Sequence, residues 1–591
     1  MLDPHEMGFV SILASFFLAG GLLFYRYISP KRNINRLVLL LLISILPIIS
    51  IFRNGTYESG DLPLHTSYLI NFYENLKNNI LLPQWAPILC GGKGCPNFMF
   101  EYILPYYIGS FFHLLGFSFL NSIKILLASS FILSGLGMYL WLRTEFNENS
   151  AFVGSIFYLF APYHLEDLHF RVSVGEVLSF FPLPFIFYFT SLLIKKGEAK
   201  YFLLLILFLI LLILSHSSTT IAILPILFLY GFIKIMQKKN KDIRLFIKFV
   251  LSIIFAVGIS SLYWLPGLIE IKYNWLSFSA IITGFRPIGE FLYSPARYGF
   301  LFQGNNGELR LIIGYPHILM IGLCLFALYK KQIYSKYKYL AIGFLSFFFL
   351  YFLAMLDYSR PIVNIVPLLN SFVLIWRLLL PISLITSFIA AVVVTRYKNK
   401  FFIFILCLFT IFSTILNWGN RKMVPENIDN YKNEWVMYSE YYNPDNPIYK
   451  KIYDERKDML SAQSLAARAL VREKLPIETL DGNITIAQLK RTPINHEYLI
   501  NAIENSNIRE NTFYFPGWKV IANEKEIPIN YEDKNNFGLI TFQLNKGLYK
   551  VNVIFTDTPI RKIGKYISLT SLIILLISTM FLFTRANKLL R

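Results

Sequence analysis

The chain has 591 residues, of which 55% are hydrophobic, 17% aromatic and only 16% charged, and its mean hydropathy is +0.50. That balance excludes an ordinary soluble domain, because the apolar residues fall in runs of the roughly 20 residues that a bilayer demands. The net charge of +20 is carried between those runs, where Lys and Arg report topology rather than a nucleic-acid surface, so no nucleic-acid partner is expected.

The first apolar run, Met7–Tyr25, is preceded by Asp3 and Glu6 and followed by Arg26, Lys31, Arg32 and Arg36. A signal peptide carries its charges in the reverse order, so this run reads as an uncleaved helix with its N-terminus outside. Further runs are Leu37–Phe52, Ile123–Leu142, Ala151–Tyr163, Val177–Ile194, Tyr201–Ser215, Thr219–Ile235, Leu245–Leu265, Leu311–Tyr329, Tyr339–Leu356, Leu378–Thr395, Phe401–Trp418 and Tyr566–Phe583. They amount to about thirteen transmembrane helices. Ile103–Phe119, interrupted by Pro105 and Gly109, is ambiguous. Counting it as a span would put Lys195, Lys196, Lys200, Lys238, Lys239, Lys241 and Arg244 on the side of the N-terminus; leaving it out gathers them with Lys31, Arg32 and the C-terminal Arg585, Lys588 and Arg591. The positive-inside rule prefers the second arrangement, with Ile103–Phe119 as an amphipathic helix in the outer interface. The expected protein is a multi-pass protein of the cell membrane with its C-terminus cytoplasmic.

In this topology the chemically loaded segments share the outer face. The loop 53–121 holds GDLPLHTSYLI, Gly60–Ile70, placing Asp61 soon after an apolar run and His65 four residues on; a carboxylate at the mouth of a membrane helix is a functional candidate. The segment APYHLEDLHFRVSVGE, from Ala161 to Glu176, packs His164, Glu166, Asp167, His169, Arg171 and Glu176 into a few turns. These residues suit a metal site, an acid–base cluster or the polar caps of two helices. A divalent ion such as Mg²⁺ or Mn²⁺, shared with a substrate phosphate, needs only one or two carboxylates, and Asp61 and Asp167 are the candidates. Arg171 is a natural bidentate phosphate partner. Cys90 and Cys95, in LCGGKGCP, could close a small disulfide loop. Arg286, Arg297 and Arg310 lie among aromatics in the outer segment 270–310, and Arg377 stands inside the apolar run IWRLLLP. A base there needs an anionic partner, which makes Arg377 the first candidate for a phosphate contact. The cytoplasmic loops are short and basic, without a glycine-rich phosphate cradle, so a phosphorylated substrate would arrive as a lipid.

After Trp418 the composition turns polar. Residues 419–563 form an expected extracytoplasmic domain, with SAQSLAARALVREK as its clearest helical stretch. From about residue 481, runs such as TFYFPGWKVIA, GLITFQL and GLYKVNVIF alternate between turn signals, predicting a small β-sandwich; Trp518 is either an exposed sugar-binding residue or, as is commoner in a sandwich, a core tryptophan. Residues 564–591 are a last membrane helix and a basic tail.

The order GDLPLH, GGKGCPNFMFEYILPYYIGSFFHLLG, APYHLEDLHFRVSVGE, WRLLLPIS and FPGWKV before a last helix resembles the bacterial membrane proteins named for a 6-pyruvoyl-tetrahydropterin synthase-related domain, which are similar in turn to GT-C glycosyltransferases. The resemblance implies a GT-C-like transmembrane domain over 1–418 with a catalytic loop at 53–121. It implies a polyprenyl-phosphate sugar donor and a glycan, lipid or protein acceptor. Carried over, Asp61 takes the place of the catalytic acid, Asp167 with Glu166 the second acidic position, and Arg171 and Glu176 the polar residues that follow; His65, Arg297 and Arg377 are further substrate-binding candidates. The alternatives are a flippase or transporter of polyprenyl-linked sugars and a non-catalytic envelope assembly protein.

Overall fold

The computed structural model describes residues 4–29, 34–57, 59–238, 242–273, 283–293, 311–366, 374–397, 399–414, 418, 423–424, 475–531, 533, 536 and 538–589. Arg297 and the stretch SAQSLAARALVREK lie outside the described residues. Helices α1 (Pro4–Tyr27) and α2 (Arg36–Ile48) lead into α3 (Leu62–Lys77), α4 (Asn97–Phe100) and α5 (Leu104–Leu114). Then come α6 (Phe119–Glu145), α7 (Glu148–Leu159), α8 (Pro162–Glu166), α9 (Val174–Ser179), α10 (Pro182–Lys196), α11 (Ala199–Ser215), α12 (Ser217–Met236), α13 (Ile243–Ile259) and α14 (Ser261–Glu270).

Among the described residues, five helical segments are long and apolar enough to cross a membrane: Phe119–Glu145, Val174–Lys196, Ser217–Met236, Ser335–Ala354 and Ile375–Arg396. Five shorter apolar helices of 10–17 residues accompany them. The expected straight span Leu245–Leu265 is broken instead: α13 and α14 meet at a 65° bend. Ser260 and Ser261 stand at the break and Pro266 lies inside α14, where its missing N–H and its clash with the preceding turn oppose a continuous helix. Ile103–Phe119 contains only the 11-residue α5, about 16 Å long and far short of a span.

The middle of the bundle is α6, α7 and Ile375–Arg396. Close approach there requires glycine: a Cβ on Gly154 would lie 2.4 Å from Leu142 Cδ1 and 2.9 Å from the Ser387 carbonyl oxygen. Asn147 accepts from Ser150 N–H and caps α7. Beside that turn, at one end of the bundle, the buried Glu145 carboxylate meets Lys234 and Ser191, both at 2.7 Å, and Tyr230 at 3.0 Å, joining α6, α10 and α12.

The C-terminal strands form two antiparallel sheets. One orders β4 (Ile484–Thr492), β5 (Asn495–Ala502), β10 (Gly547–Phe555), β7 (Trp518–Ala522) and β8 (Lys525–Ile527); the other orders β3 (Ile477–Asp481), β6 (Ser506–Phe513) and β9 (Leu539–Leu544). A separate pair joins β1 (Thr56–Tyr57) to β2 (Met423–Val424). Alternation sets the inner face, with Tyr498, Ile500, Trp518, Val520, Val551 and Val553 buried. Trp518 packs edge-on against Trp85 at 5.2 Å, the Phe513 N–H donates to the Lys93 carbonyl at 3.1 Å, and fully buried Arg561 places Nη2 2.8 Å from Glu270 Oε2. The sandwich is thereby fastened to the helical part at two places.

Candidate active site

Asp61 occupies the N-cap position of α3 but does not cap it with its side chain. The Ser59 hydroxyl accepts from Leu62 N–H instead, at 3.3 Å, which leaves the Asp61 carboxylate available. The backbone is tied to a distant loop: Gly60 N–H donates to the Phe170 carbonyl at 2.8 Å and Asp61 N–H to the Arg171 carbonyl at 2.9 Å. A Cβ on Gly60 would lie 3.0 Å from that same Arg171 oxygen, so a larger residue would push the two loops apart.

The partner loop is a π-helical turn, Asp167–Arg171, closed by Val172 at φ +58°. A β-branched residue in the left-handed region is strained, and such strain is characteristic of functional sites. The turn aims Arg171 inward. Its Nη1 lies 3.0 Å from the Tyr163 hydroxyl, 2.7 Å from Glu176 Oε1 and 3.6 Å from Asp167 Oδ1. Glu176 Oε1 is also 2.8 Å from Arg377 Nε and 3.6 Å from His216 Nε2, while Oε2 accepts from the Tyr163 hydroxyl at 2.6 Å. Two guanidiniums therefore share one wholly buried carboxylate. Arg377, 19% exposed, is the more accessible of the two; Arg171 is 7% exposed.

Burial pushes the Asp61 carboxyl above the usual range, Arg171 and Arg377 pull it back, and Glu176 adds to the rise. Asp167 is raised by its complete burial and by the Glu176 charge, and its Oδ2 makes no hydrogen bond among the described residues. Half-buried Glu101 lies within electrostatic reach of Arg377 and Asp61, and burial pushes its carboxyl up to about 7. His65 is buried between two tyrosines, with Nδ1 2.9 Å from the Tyr106 hydroxyl and Nε2 3.0 Å from that of Tyr102. Desolvation holds it neutral, down to about 3, so one ring nitrogen donates and the other accepts.

The structure thus brings together Asp61, Asp167, Arg171, Glu176 and Arg377, from three separate parts of the chain. His65 stands one turn behind Asp61 and orients Tyr102 and Tyr106 rather than pointing both nitrogens at open space. Glu166 is buried at the end of α8. Glu101, Tyr163 and His216 join the set unforeseen; the only sequence signal for His216 is the polar break HSSTT between two apolar runs. Among the described residues, no group of three or more His, Cys, Asp or Glu side chains is placed to hold a metal ion. Asp61 and Asp167 share their surroundings with two guanidiniums that repel a divalent cation, so the donor set does not fit one. His164 stacks on Phe180 at 3.8 Å and gives Nδ1 to the Tyr158 carbonyl at 3.0 Å. Cys90 and Cys95 are buried free thiols rather than a disulfide.

Residues 100–424, more than half of the chain, match the family model of the 6-pyruvoyl-tetrahydropterin synthase related domain, a membrane protein family. The chain belongs to this family. The matched segment contains Glu101, Asp167, Arg171, Glu176, His216 and Arg377, whereas Asp61 precedes it. A protein of Lactococcus lactis subsp. cremoris, described as uncharacterized, is 22% identical over 249 residues, 41% of either chain. Among solved structures, the apo oligosaccharyltransferase of Archaeoglobus fulgidus aligns with a TM-score of 0.39 and 13% identity, over 75% of this chain and 59% of its own. The arabinofuranosyltransferase AftD from Mycobacteria, as the R1389S mutant, aligns with a TM-score of 0.40 and 15% identity, over 70% of this chain and 30% of its own. The chain spans less than two thirds of each of these proteins.

Proposed function

We propose that this protein is a membrane glycosyltransferase of GT-C type that moves a sugar from a polyprenyl-phosphate donor to a cell-envelope acceptor. The observation that supports it most is a half-buried carboxylate, Asp61, held by the backbone against a pair of guanidiniums at one end of an apolar bundle. Transfer breaks the bond between the anomeric carbon and a phosphate oxygen and forms one to an acceptor hydroxyl. One group must take the hydroxyl proton, and cations must meet the departing phosphate.

In this reading Asp61 is the base, a role that typically contributes about 10² to 10⁴-fold. Arg377, the more exposed guanidinium, meets the phosphate, and Arg171 is braced behind it by Tyr163 and Glu176. Asp167, which accepts from the Ser173 N–H at 3.4 Å and lies 3.6 Å from Arg171, holds the turn that presents Arg171. The two guanidiniums outnumber Glu176 by one charge, which Asp61 balances when no donor is bound. A donor phosphate takes over that balance, and the Asp61 carboxylate, no longer needed as counter-ion, becomes a stronger base. The site end faces outward, and the end carrying Lys195, Lys234 and Lys336 faces the cytoplasm, as the positive-inside rule favours.

Purified protein in lipid, given a panel of polyprenyl-phosphate sugars and an envelope extract, should release polyprenyl phosphate from at least one donor. Tight binding of polyprenyl lipids with no release from any of them would contradict the reading and favour transport.

A further inference from the structure

A cleft of about 300 Å³ opens between the segment around Trp85–Lys93 and the β-sandwich. Glu74, Trp85, Lys93, Arg491, His496 and Thr512 contribute to its wall. It lies away from the acid–arginine site: at 1.5 Å per residue along α3, Glu74 is roughly 20 Å from Asp61. The walls are held in place from both sides. Arg491 Nη1 donates to Glu510 Oε1 at 2.6 Å and to the Tyr498 hydroxyl at 2.7 Å, His496 Nδ1 lies 2.9 Å from the same Glu510 oxygen, and Trp85 is locked against Trp518. Lys93 is 2% exposed and His496 3%, so charged and polar groups line this cleft without being ordinary surface residues.

The lining combines N–H and O–H donors, one carboxylate acceptor and an indole edge. A phosphate would be repelled by Glu74, and a lipid chain would set Glu74, Lys93 and Arg491 against hydrocarbon. A sugar has hydroxyls that both donate and accept, together with apolar C–H faces, and suits a lining that mixes charged groups, hydroxyls and an indole. Because the cleft and Asp61 share one helix, a ligand that reaches both must be extended. We infer that the cleft holds the distal part of a linear glycan acceptor whose reacting end lies at Asp61. The acceptor is then an oligosaccharide chain rather than a single sugar or a lipid headgroup, an assignment that rests on the transferase reading above.

The test uses the full chain in lipid nanodiscs and a fluorophore-tagged ladder of oligosaccharides, from monosaccharides upward, released from the envelope of the organism that makes the protein. Wild type and Asp61→Asn should bind the long members alike. Glu74→Gln and Ile88→Trp, the second filling the cleft from its half-buried rim, should weaken that binding by about 10-fold or more, and short members should show no such dependence. In turnover the same two variants should raise KM for long acceptors and leave kcat unchanged, the signature of lost uniform binding. Failure of every long member to bind wild type, or binding that Ile88→Trp leaves intact, would overturn the inference. Cleft-dependent binding without transfer from any donor would instead sink the transferase reading and leave the sugar cleft standing.

Discussion

Asp61 owes its chemistry to opposing fields. Burial raises its carboxyl while Arg171 and Arg377 stabilise its charge, so its basicity responds to whatever else those guanidiniums are holding. Glu101 feels the same burial and ends near 7, well above the ordinary glutamate value near 4.3. Between those two values the folded protein binds more protons than the unfolded chain, so the stability linked to Glu101 is present at low pH and declines as pH rises through that window. Glu101→Gln removes the titration: its melting temperature relative to wild type should rise between about pH 5 and about pH 8, and a constant difference in detergent would contradict the placement of Glu101. Asp61 and Arg377 are legible in the sequence because each sets a charge against an apolar run, where charge is costly, and Arg171 because it stands in the charged segment HLEDLHFR. Glu101 is not, since a lone acid among aromatics looks like any interfacial residue, and its nearness to Arg377 exists only in the fold.

At the scale of elements, the site is a joint between two loops. Gly60 and Asp61 are hydrogen-bonded to Phe170 and Arg171, and a Cβ at residue 60 would press on the Arg171 carbonyl oxygen at 3.0 Å. Gly60→Val should displace Asp61 from Arg171 by a fraction of an ångström to an ångström and lower kcat on the order of 10²-fold with helical content unchanged; activity within a factor of a few of wild type would show that the joint does not set the geometry. The sequence marks Gly60 only as a turn residue. That it lies against the Arg171 carbonyl follows from a π-helical turn and a left-handed Val172, neither of which leaves a periodic signal. The hydropathy of Leu245–Leu265 is likewise silent about its 65° bend, because apolarity does not encode direction. The strands of the sandwich are easier to read, since one buried face imposes strict alternation.

At the scale of the whole molecule, the acid–arginine site and the cleft near the sandwich are separate places, and the second exists only while the sandwich is docked. Arg561 and Glu270 hold that docking as a buried ion pair. Arg561→Met leaves Glu270 buried and uncompensated, at a cost of about 3–5 kcal/mol, and should expose the junction after Phe555 to limited proteolysis; the double variant Glu270→Gln with Arg561→Met should recover part of the loss. Unchanged protection in the single variant would mean that Trp85 and Trp518 suffice.

Whether Asp61 is the base of a sugar transfer is tested by comparing wild type with Asp61→Asn under saturating donor, in both turnover and donor affinity. The expected result is a loss of at least about 10² in kcat with donor binding retained or strengthened, because the variant removes a charge that competes with the phosphate for the two arginines. Equal turnover in both proteins would place the chemistry elsewhere.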